Sequence, residues 1–277
     1  MVFNSITQMR RMPIFSVLFL VIFLICGIFG SSLAPLDPTD GDLSRSLIPP
    51  FQDRNYPLGT DHLGRDILSR IICGARISMI VCIMVIFFAG SIGTVLALLS
   101  GYIGGKVDII IMRIVDTMLS IPYMMIAIAL AAILRPSLFN IIILLSILGW
   151  TGYARVIRGE VLRIKDSDFV KLAKIDGCSK TRILIHHIFP NIVNTLVILA
   201  TLQVGAVIII ESSLSFLGLG VPPPAPSWGG MLADSRSYIS NWWLSTFPGL
   251  TIMATVLSCN LLGEWLRLQM DPQFRQK

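Results

Sequence analysis

The sequence predicts an all-α membrane protein with six transmembrane helices. Three observations carry this. Of 277 residues, 54% are hydrophobic and only 14% are charged, whereas a soluble chain carries about 25% charged residues. The apolar residues fall into six runs long enough to cross about 30 Å of hydrocarbon. Lys and Arg concentrate in the segment 155–182, in keeping with the positive-inside rule, while the loop at 34–76 mixes Arg45, Arg54, Arg65 and Arg70 with Asp37, Asp40, Asp42, Asp53, Asp61 and Asp66. Too few polar residues remain to coat a soluble domain of this length, and no repeat or low-complexity block interrupts the runs.

The first run covers 14–33, after Arg10 and Arg11. Its length and the weak cleavage signal in the following "GSSLAP" predict an uncleaved span rather than a removed signal peptide. The second run covers roughly 77–100. The third, roughly 109–134, is interrupted by Pro122, which predicts a kink. The fourth covers roughly 138–155, the fifth 192–215 and the sixth 245–266. Each must be helical, because lipid offers no partner to an unpaired backbone group.

With Arg10 and Arg11 on the cytoplasmic side, the loop at 34–76 lies outside, the turn at Lys106 inside and the turn at Arg135-Pro136 outside. The segment 155–190, with Arg155, Arg158, Arg163, Lys165, Lys171, Lys174, Lys180 and Arg182, then lies inside. Loop 216–244, with the single basic residue Arg236, is outside, and the tail with Arg267, Arg275 and Lys277 is inside. Both termini are expected in the cytoplasm. The net charge of +6 is therefore a topology signal, and no nucleic acid is expected as a partner. Residues 1–76 divide off as N-terminus, first span and outer loop, and 77–277 as a five-span core. Cys26, Cys73, Cys82, Cys178 and Cys259 form no CxxC pair and are expected as apolar fillers.

The stretch "FVKLAKIDGCSKTRILIHHIFP" (169–190) stands out as basic and amphipathic in an oily chain. It predicts two short helices. Ser167 is placed to cap the first. Phe169, Leu172, Ala173 and Asp176 recur at i, i+3, i+4 and i+7, which gives one largely apolar face. Gly177 stops the helix, since it adopts the left-handed conformation without penalty. Ser179 caps the second, where Ile183, Leu184, His187 and Ile188 share a face before Pro190 returns the chain to the membrane. Such a segment either lies on lipid headgroups or docks a soluble partner through its apolar face, and periodicity does not choose between them.

The chemistry-bearing motifs of enzymes do not fit. "YIGGKV" has a Gly-Lys pair, but neither the following Ser or Thr nor the earlier Gly of a phosphate-binding loop. No catalytic residue, cofactor site or metal site is expected. Glu211, near the outer end of the fifth run, is either a pathway residue or a partner for a helix end or an Arg of another subunit; the structural role is favoured. Asp116 is expected to pair with Arg113 three residues earlier. Gln203 and Asn260 either line a pathway or join helices. Asp61, His62 and Asp66 invite a metal-site reading, with loop folding the preferred one. In "GLGVPPPAPSWGG", Pro222 and Pro223 stiffen the loop, and Trp228 is expected as a contact surface or, with Trp242 and Trp243, as an interfacial anchor.

The segment from Lys171 to Pro190 resembles the EAA loop of ABC importer permeases, roughly E-A-A-x3-G-x9-I-x-L-P. Ala173, Gly177 and Pro190 match that frame; Lys171, Leu172, His187 and Phe189 depart from it. "PLGTDHLGRDILSRIICGARIS" (57–78), "WTGYARVIRGEVL" (150–162) and "ESSLSFLGLGVPPPAPSWGGMLADSR" (211–236) resemble, in the same order, segments of the dipeptide/oligopeptide/nickel permease family. The likeness is to its shorter, C-type subunit and covers nearly the whole chain. It implies a type I importer (MetI-like) fold and a heterodimer with a longer homologous permease. It also implies two ATPase subunits that bind ATP and Mg, and a substrate-binding protein outside. By the same likeness the 166–190 loop is the coupling element, involving Phe169, Lys171, Leu172, Ala173, Gly177, Ser179, Arg182, Ile183, Leu184, His187 and Pro190. The Pro222–Trp228 loop would meet the binding protein. Peptides are the implied cargo, with nickel or a metal chelate as the alternative inside the family. A non-transporting membrane scaffold is the alternative outside it.

Overall fold

A computed structural model describes residues 12–270; Arg10, Arg11, Arg275 and Lys277 lie outside the described residues. Helix α1 (Ile14–Leu33) coincides with the first run. Helix α2 (Ile67–Ile103) begins ten residues before the expected span. Asp66 is its N-cap, with a carboxylate that accepts from the Ser69 N–H at 2.8 Å, so the helix projects well beyond its apolar run. The boundary between 76 and 77 therefore falls inside one continuous helix. Helices α3 (Gly105–Ser120) and α4 (Tyr123–Ile133) replace the third span. They meet at 87°, a break rather than a kink, because Pro122 cannot donate to the ladder and holds Ile121 extended. Counted as one broken span, the pair brings the total to six.

Helix α5 (Leu138–Lys165) extends ten residues past the fourth run, carrying its charged end out of the apolar layer. Helix α6 (Asp168–Ile175) follows, then a single turn at Lys180–Arg182 and a wide π-turn at Ile183–Ile188 that runs into α7 (Phe189–Phe216). Pro190 lies in the first turn of α7, and Asn191 supplies a side-chain donor to the His187 carbonyl at 2.7 Å. Helix α8 (Trp228–Ser235) lies in the loop before α9 (Trp243–Met270).

The bundle is assembled on the seam between α2 and α5. Ala89, Gly93, Ala97 and Gly101 recur every four residues and are all buried. A Cβ on Gly93 would stand 2.5 Å from the Trp150 carbonyl oxygen, and one on Gly101 would stand 2.7 Å from Val161. Gly149 of α5 answers Ala89 at 3.3 Å from the other side. Without a hydrophobic force between helices in lipid, such small residues let backbones approach and gain dispersion contacts. Helix α1 uses the same device at Gly27 and Gly30 against α2. Three apolar clusters fill the bundle. One sits at the α8 end around Ile67, Met231 and Trp243, and one is central, around Val85, Leu145 and Ile208. The third lies at the α6 end, around Ile157, Val161 and Ile188.

Gly93→Val should lower the thermal stability of the detergent-solubilised protein by about 1–3 kcal/mol, the usual cost of overpacking. Gly90→Ala, one helical turn away with its nearest neighbour at 3.6 Å, should leave it unchanged.

Candidate functional site

Helix α6 stands where the sequence places it but divides its apolar residues between two faces. Val170 and Ala173 are buried against Ile157, Val161, Ile183 and Ile188. Leu172 and Ile175 are 59% and 79% exposed, and Phe169 is exposed beside them. Of the expected face, Ala173 therefore turns inward, while Phe169 and Leu172 turn outward with Ile175, which sequence reasoning missed. Its signal was present: Phe169, Leu172 and Ile175 are spaced by three. Lys171 lies exposed and pairs with Asp168 at 3.6 Å.

Gly177 has φ +77°. The Cys178 N–H donates to the Ala173 carbonyl at 3.0 Å and the Gly177 N–H to the Lys174 carbonyl at 3.1 Å, the paired bonds of a Schellman stop. Ser179 caps the next turn, accepting from the Arg182 N–H at 3.3 Å. Ser167 occupies the N-cap position of α6 but does not cap by its side chain; its hydroxyl donates to the Ile164 carbonyl. In the second element Ile183 and Ile188 are buried, whereas Leu184 and His187 are only partly covered. Arg182 and Pro190 lie exposed.

Charged contacts tie this end together. Asp108 of α3 accepts two bonds from Arg158 of α5, one at 2.6 Å, and one from the Ser100 hydroxyl of α2. Lys165 donates to the Gly101 carbonyl at 3.3 Å. Lys165 and Lys174 both stand over the Tyr102 ring, 5.8 and 5.7 Å from its centroid. Asp116 pairs with Arg155 of α5, not with Arg113; the α3–α4 break lays α3 along α5, so a cross-helix guanidinium reaches the carboxylate first.

The three expected pathway residues are not brought together. Glu211 is 0% exposed. The Ser215 hydroxyl donates to it at 2.8 Å and that of Ser212 at 3.4 Å, and α8 covers the same turn through Gly229. Its partners are serines of its own helix. Gln203 lines a cavity of about 250 Å3 inside the bundle. Asn260 is exposed on the α7–α9 seam beside Gly205.

At the opposite end, Pro222 and Pro223 are exposed. Trp228 is not: it is 1% exposed, plugs the notch left by Gly74, and donates from Nε1 to the Ile71 carbonyl at 2.9 Å. It anchors α8 and offers no outer surface. Trp243 is likewise buried, donating to the Thr60 carbonyl at 3.2 Å, whereas Trp242 is exposed.

The loop ahead of α2 is folded by buried charge. Asp61 accepts from Arg65 Nε at 2.6 Å, Arg65 reaches Asp234 of α8 at 3.3 Å, and Arg70 lies 3.6 Å from Asp61. The group that converges is thus Asp61, His62 and Asp234. Asp66 is spent on the α2 cap, and two guanidinium groups already neutralise the other carboxylates. His62 stacks on Tyr238 at 5.2 Å. Further out, hydrogen bonds from Thr39 and Ser44 hold the Asp37 and Asp42 carboxyls below their ordinary range.

This arrangement joins a membrane bundle, a charged brace and a projecting apolar helix. Residues 93–276 match the family of binding-protein-dependent transport system inner membrane components. The chain belongs to this family. As such a component it is a multi-pass inner-membrane protein. It is 39% identical to the probable D,D-dipeptide transport system permease protein of Escherichia coli strain K12, over 93% of this chain and 86% of that one. It is 36% identical to the dipeptide transport system permease protein of Haemophilus influenzae, over 97% and 93%. It is 37% identical to the glutathione transport system permease protein of Escherichia coli O6:K15:H31, over 96% and 88%.

Asp61→Asn should destabilise this transport component by about 3 kcal/mol, because it leaves buried guanidinium charge uncompensated. A lowered melting temperature of the purified protein, with the helical circular dichroism retained below it, is the measurement.

Proposed function

We propose that the chain is the transmembrane permease subunit of an ATP-driven importer of di- and oligopeptides. It works by alternating access, and its partner subunits hydrolyse the ATP. The observation that carries this is the outward apolar face of α6. Phe169, Leu172 and Ile175 project from a helix whose other face is locked into the bundle, and whose end is fixed by the Gly177 stop. A helix held on one side and open on the other transmits force to a partner groove. The segment from 166 to 190 is the coupling loop on this reading, and two cytoplasmic ATPases seat it.

The wider assembly follows the same reading. A longer homologous permease completes a heterodimer, and a substrate-binding protein delivers cargo to the side bearing Pro222 and Pro223. Both termini are cytoplasmic, in keeping with the basic residues clustered from Arg155 to Arg182. On this reading the permease core begins within α2, and the first span and outer loop ahead of it supply an added anchor. Peptide cargo is favoured over nickel or a metal chelate, because the relatives are named for dipeptides and for glutathione, itself a tripeptide. The brace at Asp108 and Arg158 and the broken span speak against a passive scaffold.

Uptake of labelled dipeptides and of nickel by a deletion strain, with and without this gene, tests the cargo. Restored peptide uptake is expected; restored nickel uptake alone would contradict it. Gly177→Val forces a β-branched residue into the left-handed region, at about 1–2 kcal/mol or more, and should abolish uptake while membrane insertion stays normal. Gly177→Asn, which tolerates that conformation, should retain most uptake.

A further inference from the structure

A cavity and an open groove lie along α2 and share a wall. The first, about 250 Å3, is bounded by Leu119, Tyr123, Leu148, Gln203 and Ala206. Leu119 and Tyr123 flank the α3–α4 break, and irregular backbone at membrane depth is tolerated where it lines a cavity. The second is an open groove of about 350 Å3 nearer the α6 end, bounded by Gly90, Thr94, Leu98 and Leu196 and by the exposed Ser91 and Phe189. Ile86 and Tyr153 line both. On α7 the groove is lined from Phe189 to Ala200 and the cavity from Gln203 to Ile210, so the two follow one another along the bundle and overlap on α2 at Ile86.

Tyr153 is 2% exposed, and its hydroxyl has no hydrogen-bond partner among the described residues. A buried unpaired hydroxyl needs an explanation, since phenylalanine would fill the same space without the desolvation penalty. The ring lies over Gly90, where an added Cβ would stand 3.6 Å from Cε1. Gly90 presents no side chain to the ring.

We propose that Tyr153 is the shutter between the inner cavity and the open groove of the transport path, and that its free hydroxyl bonds the cargo's polar backbone during passage. The assignment rests on the peptide-importer reading for the cargo, and on geometry alone for the shutter. A peptide carries both donors and acceptors, so a hydroxyl in a mostly apolar wall serves any sequence of side chains. The apolar lining accepts the side chains themselves.

The test uses the whole importer in vesicles, in a cysteine-free background, with Ala206→Cys reporting the cavity and Ser91→Cys the groove. A small charged methanethiosulfonate is added from the α6 side without ATP. Ser91→Cys should react readily and Ala206→Cys at least about tenfold more slowly, as for an open state populated at 10% or less. Tyr153→Ala, or Tyr153→Leu if the first fails to assemble, should bring the Ala206→Cys rate up to that of Ser91→Cys. Tyr153→Phe should keep Ala206→Cys protected but raise the KM for dipeptide uptake about fivefold, the worth of one net hydrogen bond.

Unchanged protection of Ala206→Cys in the Ala and Leu variants would overturn the shutter, and an unchanged KM in the Phe variant would overturn the hydroxyl's role. If the reporters switch as expected while the unmutated importer takes up no dipeptide, the shutter stands and the peptide reading fails.

Discussion

The structure depends on backbone contact between α2 and α5. Ala89, Gly93, Ala97 and Gly101 present a stripe so narrow that the Trp150 carbonyl and the Val161 side chain fill the places where Cβ atoms would be. In lipid, apolar bulk does not drive helices together, so close approach and the dispersion it brings are what remain. Once these two helices are joined, α1 is laid on α2, α7 on both, and α9 on α7. The charged ends of α2 and α5 are also set side by side, which is what allows Arg158, Asp108 and Ser100 to meet. The brace and the projecting α6 are consequences of that seam.

The seam gives a displacement of α6 a packed route to the membrane interior. Val170 and Ala173 sit in the same cluster as Ala97, Ile157 and Val161, and the two lysines on Tyr102 tie α5 and α6 to the end of α2. A displacement of α6 is thus delivered to the two most closely packed helices. Tight packing transmits strain rather than absorbing it. Along the same pair of helices lies Tyr153, which lines both the cavity and the open groove. At the other end, buried Trp228 and the Asp61–Arg65–Asp234 ion pairs fix α8 to α2, so both ends of the bundle are fastened to one long helix.

Much of this was legible in the sequence. The six apolar runs fall on the observed helices, because hydrophobic length is a strong signal in a membrane protein. Gly177, Ser179 and Pro190 mark local events that depend only on neighbouring backbone. What escaped depends on distant partners. Asp116 found Arg155 rather than Arg113 because the chain breaks, rather than bends, at Pro122. Trp228 looked like a surface residue because its notch, Gly74, lies 154 positions earlier. Val170 and Ile175 were passed over because α6 has two apolar stripes, and an eight-residue helix shows barely two turns of each. The stripe at Ala89–Gly101 was readable as a four-residue spacing of small residues, a pattern distinct from the apolar periodicity that defined the span.

The central claim is that a projecting helix, held on one face by the bundle, is gripped on its other face by cytoplasmic ATPase subunits. A single cysteine at Leu172 tests it most directly, probed with a membrane-impermeant thiol reagent in vesicles of each orientation, with and without the ATPases. The account predicts labelling only where the cytoplasmic face is outward, and protection once the ATPases are bound. Labelling from the opposite face, or labelling indifferent to the ATPases, would contradict it.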